Sequence, residues 1–311
     1  MVNAHYRGSC NPISVQDTLA RFAFRRHACT PSSYTEDPLS ADDLVSDATP
    51  CGWVSLVGAG PGDPELLTLR AARRIAEAEV VVYDNLVSSG VLDLIPDHAQ
   101  RIYVGKEAGR HALPQEDINR LLLRLARQGL RVVRLKGGDP FIFGRGGEEM
   151  ETLAAAGVVC EVVPGITAAS GMAACTGIPL THREHAQTLV FATGHLKDGT
   201  VNLDWTALAR PQQTVVIYMG LGALELICDA LIAHGLAADT PAAVVHAAST
   251  PRQRIVAQPL AALPAAVRAA KLGSPSLIVI GSVTSLHEVL QPAVPRMAGL
   301  EVETVAETVL A

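Results

Sequence analysis

The chain has 311 residues, 49% of them hydrophobic and 18% charged, a mix that can bury a sizeable core and excludes disorder for most of its length. Its 31 acidic against 25 basic residues leave a net charge of −6, which excludes a broad basic field for nucleic acid or anionic lipid. No apolar run approaches the ~20 residues of a membrane span, and Arg7, Asn11 and Gln16 break any signal-peptide core early, so a soluble cytoplasmic protein without nucleic-acid or membrane partners is expected.

In chain order, residues 1–50 come first and differ from the rest. Periodicity is weak, Ser, Thr, Asp and Pro cluster, and an acidic stretch runs from Glu36 to Asp47. A short amphipathic helix near Val15–Arg26 is the one element read there; otherwise this is a mobile arm. From Trp53 the pattern becomes regular. Trp53–Val57, Val80–Tyr83, Arg101–Tyr103, Arg131–Leu135 and Val158–Val162 read as strands, with helices over Pro64–Ala78, Pro114–Gln128 and Glu148–Ala156. Asp63 suits an N-cap and Pro64 the first helical position. Such alternation implies a mostly parallel α/β sheet. T-H-R-E-H-A-Q, Thr181 to Gln187, interrupts it. A second block follows, with strands near Leu189–Thr193, Thr214–Tyr218, Ala242–His246, Arg254–Gln258 and Leu277–Ile280. Helices near Ala223–His234 and Ala261–Ala270 separate them, and a final helix and frayed tail follow Gly281. The expected fold class is α/β, two α/β domains with the active-site cleft between them: an arm over 1–50, domains over 51–183 and 184–285, a tail over 286–311. The six cysteines (Cys10, Cys29, Cys51, Cys160, Cys175 and Cys228) show no metal-like spacing and fit a reducing compartment.

The first predicted strand runs into G-A-G-P-G-D, Gly58 to Asp63. A glycine turn between strand and helix lets the backbone approach a ligand. It is not a dinucleotide fingerprint: Asp63 stands where the third glycine belongs, and its charge at a helix N-terminus opposes a pyrophosphate. The turn suits a ligand without phosphates there, or serves only as a tight turn.

V-G-A-G-P-G-D-P-E-L-L-T-L-R-A (Val57 to Ala71) opens a run of ordered blocks. V-V-Y-D-N-L-V-S (Val81 to Ser88), V-G-K (Val104 to Lys106) and P-Q-E-D-I-N (Pro114 to Asn119) follow. V-V-R-L-K-G-G-D-P-F-I-F-G-R-G-G-E-E (Val132 to Glu149) is the most specific. V-P-G-I-T-A-A-S-G, G-I-P-L-T-H-R, T-G-H-L-K and Y-M-G-L continue the run. Over about residues 53–285 the chain resembles the uroporphyrinogen-III C-methyltransferases. The resemblance implies the tetrapyrrole methylase fold, a homodimer, and S-adenosyl-L-methionine bound in the cleft and released as S-adenosyl-L-homocysteine. It implies methylation of uroporphyrinogen III at C2 and C7, through precorrin-1 to precorrin-2, which feeds sirohaem, cobalamin or haem d1 synthesis. It implies no metal. Fifty residues are too few for a fused dehydrogenase and ferrochelatase module, so a stand-alone methylase is expected.

Site residues carry over by motif. Asp84 matches the family's general base; on its own it reads rather as a cap turning the chain toward Leu86. Lys106 matches the proton donor, or is an anion clamp. Pro61, Gly137, Gly138, Asp139, Ile142, Thr167, Ala168, Met219 and Ala248 match cofactor contacts, although a methionine at 219 also reads as core filler. Ala248 stands where the family has glycine, which is harmless only if its φ is negative. Arg134, Arg145 and Arg183 are the candidates for binding the eight substrate carboxylates; Arg110 reads as a surface residue. Three other readings remain: another precorrin methylase, a non-catalytic tetrapyrrole-binding protein, and a nicotinamide oxidoreductase resting only on Gly58 and Gly60.

Overall fold

The computed structural model describes residues 52–105, 113–194, 201–290 and 303–304. The chain divides into two units, Met1–Pro50, which lies outside the described residues, and Cys51–Ala311. The fold below is that of the second, and the arm and helix read within residues 1–50 fall outside it.

The first half of this unit is a five-stranded sheet. Its strands are β1 (Trp53–Gly58), β2 (Val80–Tyr83), β3 (Gln100–Tyr103), β4 (Arg131–Lys136) and β5 (Val159–Val163). The order is β3-β2-β4-β1-β5 and every pairing is parallel. Parallel strands need crossovers, supplied by α1 (Leu69–Glu77), α2 (Ser89–Leu92), α3 (Gln115–Arg127) and α4 (Gly146–Ala155). Alternation sends Val57, Val81, Val133 and Leu135 to one face, under α1 and α2. Val54, Leu56, Val80, Val82 and Val132 go to the other, under α3 and α4.

The expected helix over Pro64–Ala78 is broken. Asp63 caps a single 3-10 turn, Pro64–Leu66, by accepting from Glu65 N at 2.9 Å. Thr68 then adopts an extended conformation and its hydroxyl accepts from Ala71 N at 3.1 Å, starting α1 afresh. A threonine hydroxyl satisfies a helix N-terminus better than it fits a helix interior.

α5 (Ala168–Thr176) follows β5 in sequence, but it packs on the second sheet. That sheet comprises β6 (Thr188–Thr193), β7 (Gln213–Tyr218), β8 (Pro241–His246), β9 (Arg254–Pro259), β10 (Ser276–Ile280) and a two-residue β11 (Glu303–Thr304) where a frayed tail was expected. Its order is β11-β9-β8-β10-β7-β6. The β6–β7 and β9–β11 pairs are parallel, while β7–β10, β10–β8 and β8–β9 are antiparallel. One face is covered by α7 (Leu224–Ala233) and α8 (Leu263–Ala269), with α6 (Trp205–Leu208) beside them. The other face carries Val216, Tyr218, Val245, Leu277 and Val279 against Ala169 and Met172 of α5. α9 (His287–Leu290) is the final helix expected after Gly281.

Candidate active site

Open α/β sheets bind ligands outside the carboxyl ends of their strands. At that edge of the first sheet, the loops after β1, β4 and β5 are tied together. Gly60 and Gly138 exchange backbone hydrogen bonds of 3.2 and 2.7 Å. Gly165 N donates to Asp139 Oδ2 at 3.0 Å. A Cβ on Gly58 would stand 2.5 Å from Gly165 N, and one on Gly165 would collide with the Gly138 carbonyl. Gly138 itself has φ 68°, so glycine is required at the centre of this knot. The loop after β2 joins because Leu86 packs on Gly137.

The second half meets this edge at two places. Tyr218, the last residue of β7, places its hydroxyl 2.7 Å from Thr167 Oγ1 and accepts from Ala169 N at 3.1 Å. Its ring lies 4.9 Å from that of Phe143, in the loop after β4. The turn after β8 reaches the loop after β1: a Cβ at Gly62 would be 2.7 Å from Thr250 Cγ2. Loops from both sheets thus converge on one crevice.

Backbone strain concentrates there. Of the seven non-glycine residues with positive φ among the described ones, five lie in these loops: Phe143, Arg145, Met219, Ala247 and Ser249, at φ 45–58°. Each such conformation costs about 1–3 kcal/mol, and clustering of this kind marks ligand sites. Ala248, at the family's glycine position, is not among them; the left-handed residues are its two neighbours. The expected difficulty at Ala248 is therefore absent.

The cofactor candidates Pro61, Gly137, Gly138, Ile142, Thr167, Ala168, Met219 and Ala248 all sit in these converging loops or at the N-terminus of α5. Ile142 and Met219 are exposed, so Met219 is not core filler. Asp139 turns its side chain inward, with Oδ1 accepting from Phe141 N at 2.8 Å and Oδ2 from Gly165 N. The surface thus offers backbone amides, apolar side chains and a helix start. Asp63 is spent on its cap. This donor set fits a nucleoside joined to an amino acid.

Asp84 stands just beyond β2. Its Oδ1 accepts from Leu86 N at 3.0 Å, the turn read from sequence, and its Oδ2 accepts from Arg134 Nη2 at 3.0 Å. The side chain is 21% exposed, so its carboxylate is held by protein yet open to the crevice. Lys106 and Arg110 lie outside the described residues.

The three arginines expected at substrate carboxylates part ways. Arg134 is a correction: its side chain is 4% exposed. Its Nη2 is on Asp84, its Nε on Glu149 Oε1 at 3.3 Å and its Nη1 on the Leu135 carbonyl at 2.8 Å. Three of its five N–H groups are engaged inside the protein and the side chain is buried, which withdraws it from substrate carboxylates. Arg145 is half exposed and makes a two-pronged pair with Glu148 at 2.8 and 2.7 Å. That pairing holds Glu148 below the usual carboxylate range and Arg145 above its ordinary value. Arg183 is exposed on the turn bridged by His182 and Ala186.

Sequence reasoning missed Tyr218, Lys136 and Glu149. A signal existed for two of them. In R-V-V-R-L-K the charges at 134 and 136 share one face of a strand buried on both sides, which demands a buried counter-ion. Glu149 supplies it, 0% exposed and 2.9 Å from Lys136 Nζ. Among the described residues an open hollow of about 770 Å³ runs along α7, lined by Gly222, Glu225, Leu226 and Asp229 among others. It is lined along α7 and the turn before it and draws on no loop of the first sheet, so the crevice is the better ligand site.

Residues 54–264 match the family model of the tetrapyrrole (corrin/porphyrin) methylases. The chain is 60% identical over 239 residues to a siroheme synthase of Nitrosospira multiformis, covering 77% of this chain and 51% of that protein. It thus spans about half the length of the curated relatives it matches. Among solved structures, uroporphyrin-III C-methyl transferase from Thermus thermophilus, complexed with S-adenyl homocysteine, is 44% identical. It matches with a TM-score of 0.65, over 76% of this chain and all of that one. A cobalt precorrin-4 methyltransferase is 29% identical, with a TM-score of 0.67 over 78% of this chain and 99% of that one.

Proposed function

The chain belongs to the tetrapyrrole (corrin/porphyrin) methylases, and from that membership we propose that it methylates uroporphyrinogen III at C2 and C7 to give precorrin-2, with S-adenosyl-L-methionine as methyl donor. The observation that carries this reading is the crevice. Loops from both sheets meet there around Gly137, Gly138, Thr167, Met219 and Ala248, with a half-open carboxylate, Asp84, beside them. The likeness to the Thermus methyl transferase, solved with S-adenyl homocysteine, supports the donor and the substrate. The siroheme synthase relatives favour the sirohaem branch over cobalamin or haem d1.

S-adenosylmethionine supplies an electrophilic methyl on a sulfonium. Gly137, Gly138 and the N-terminus of α5 would hold its polar groups by backbone, with Ile142, Met219 and Ala248 lining its apolar surface. Asp84 would take the proton that the macrocycle must lose, its carboxylate aimed by the hydrogen bond it accepts from Arg134. Lys106 is assigned the complementary proton donation. Arg145 and Arg183 would pair with substrate carboxylates. Homodimerisation belongs to the same reading.

Anaerobic incubation of the purified chain with uroporphyrinogen III and S-adenosylmethionine is expected to give a doubly methylated product by mass spectrometry. No methylated product from uroporphyrinogen III, with turnover of a later precorrin instead, would transfer the assignment to a precorrin methylase like the cobalt precorrin-4 enzyme. Binding of the tetrapyrrole without any turnover would make the chain a carrier.

A further inference from the structure

Behind Asp84 lies a buried charge network that the proposed chemistry does not use directly. It runs inward from the crevice across three elements. Asp84 follows β2, Arg134 and Lys136 project from one face of β4, and Glu149 comes up from α4. Gln115 of α3 closes it, donating to Glu149 Oε1 at 3.1 Å and to Asn119 Oδ1 at 3.0 Å. Two cations face two anions, so the network is neutral as a whole.

Its arrangement is uneven in a telling way. Glu149 Oε1 takes three donors: Lys136 Nζ at 2.9 Å, Gln115 Nε2 at 3.1 Å and Arg134 Nε at 3.3 Å. Its Oε2, equally buried, has no hydrogen-bond partner among the described residues. A network built only for stability would satisfy both oxygens, because an unpaired buried acceptor costs about 1–3 kcal/mol. Here all the donors are drawn to the oxygen that faces Arg134. Burial and the adjacent Arg134 both hold the Lys136 ammonium below its ordinary value, so this cluster is costly to keep. What it accomplishes is directional. Arg134 has its Nε on a fully buried anion, its Nη1 on the Leu135 carbonyl and its Nη2 on the 21%-exposed Asp84. Three anchors leave the guanidinium no freedom, and Asp84 inherits that rigidity.

We propose that Glu149 is a positioning residue: it locks the guanidinium of Arg134, and through it sets where the Asp84 carboxylate sits in the crevice. The inference rests on Asp84 being the group that takes the proton. Without the Glu149 charge, Arg134 loses one anchor and Lys136 loses its counter-ion. Repulsion between the two cations then turns the guanidinium, and Asp84 follows. The loop after β4, which carries Gly137, Gly138 and Ile142 next to Lys136, is held by the paired backbone hydrogen bonds between Gly60 and Gly138 and by Asp139 on Gly165 N, none of which uses Glu149, and the remaining cofactor contacts lie in other loops.

The test is a cycle of Glu149→Gln, Asp84→Asn and the double variant, with kcat and the KM for S-adenosylmethionine measured for each and folding checked by urea unfolding. Glu149→Gln is expected to lower kcat by about 10–100-fold, the scale of a misplaced reacting group, with KM within about twofold of the parent. In the Asp84→Asn background it should add no further loss, because Glu149 acts through a carboxylate already neutralised. If the losses multiply in the double variant, or if Glu149→Gln changes stability or KM with kcat intact beside a crippled Asp84→Asn, the inference falls alone. An Asp84→Asn enzyme with parental kcat overturns the reading of Asp84 as base, and this inference with it. Should Glu149→Gln fail to fold, Gln115→Met removes one anchoring donor from a half-buried position. It should lower kcat several-fold in the parent and not at all in Asp84→Asn, and any other pattern overturns the proposal.

Discussion

Tyr218 carries two loads on one hydroxyl. It pairs with Thr167 Oγ1 and accepts the Ala169 amide, so it anchors the start of α5. Burial pushes the phenol above its ordinary range, against the opposing pull of those two hydrogen bonds, and it stays protonated at neutral pH. Tyr218→Phe removes both bonds and leaves a buried amide unpaired. The expected stability loss is about 1–3 kcal/mol by urea unfolding. S-adenosylmethionine affinity by calorimetry should fall as well, because Thr167 and Ala168 would no longer be held. A variant that loses stability but binds the cofactor as before would separate this hydroxyl from the site. Tyr218 was visible in Y-M-G-L, yet nothing local marks a strand-end tyrosine as functional. Its partners lie 49 and 51 positions away, and such separations leave no trace in spacing. Asp84 was singled out because a motif framed it, and its turn toward Leu86 is present. Arg134 was misread for the converse reason: in sequence, an arginine that binds a substrate carboxylate looks the same as one that binds Asp84.

At the scale of elements, α1 shows what periodicity hides. Leu66, Leu69, Ala72 and Ile75 keep helical spacing through the break, so the apolar pattern reads as one helix. The backbone nevertheless turns extended at Thr68 and begins again. Thr68→Ala is expected to cost about 1 kcal/mol, the usual worth of an N-cap hydroxyl, seen as a lower urea midpoint with unchanged kcat. A neutral result would mean that packing of Ala71 and Ile75, both fully buried, sets the helix start unaided. The first sheet was legible as parallel because strands alternate with crossover helices throughout. Strand direction in the second was not. β8 and β9 read as two short strands in sequence, and whether they run side by side or antiparallel depends on the turn between them. That turn holds the left-handed Ala247 and Ser249, residue types that ordinarily avoid such a conformation.

At the largest scale, α5 links the two sheet cores among the described residues. α5 belongs to the first half by sequence and to the second by packing, with Met172 fully buried among Val216, Val245 and Val279. Further ties run from Gln253 Nε2 to the Cys175 carbonyl at 3.3 Å and from the His287 ring to the Thr176 carbonyl at 2.5 Å. The net charge of −6 supplies no such glue, and it leaves anion recognition to individually placed cations such as Arg145. If α5 is the coupling element, the halves should unfold together. The chain carries its own reporters, since its two tryptophans, Trp53 in β1 and Trp205 in α6, fall one to each half. Trp53→Phe and Trp205→Phe leave one reporter apiece, and their urea transitions are expected to coincide. Met172→Ala should lower stability by about 2–5 kcal/mol and pull the two transitions apart, because it empties the contact through which the second sheet grips α5. Two transitions already separate in the parent would mean that the crevice is formed by halves folding independently. Coincident transitions in Met172→Ala would assign the coupling instead to the Tyr218 hydroxyl and the ties at Thr176 and Cys175.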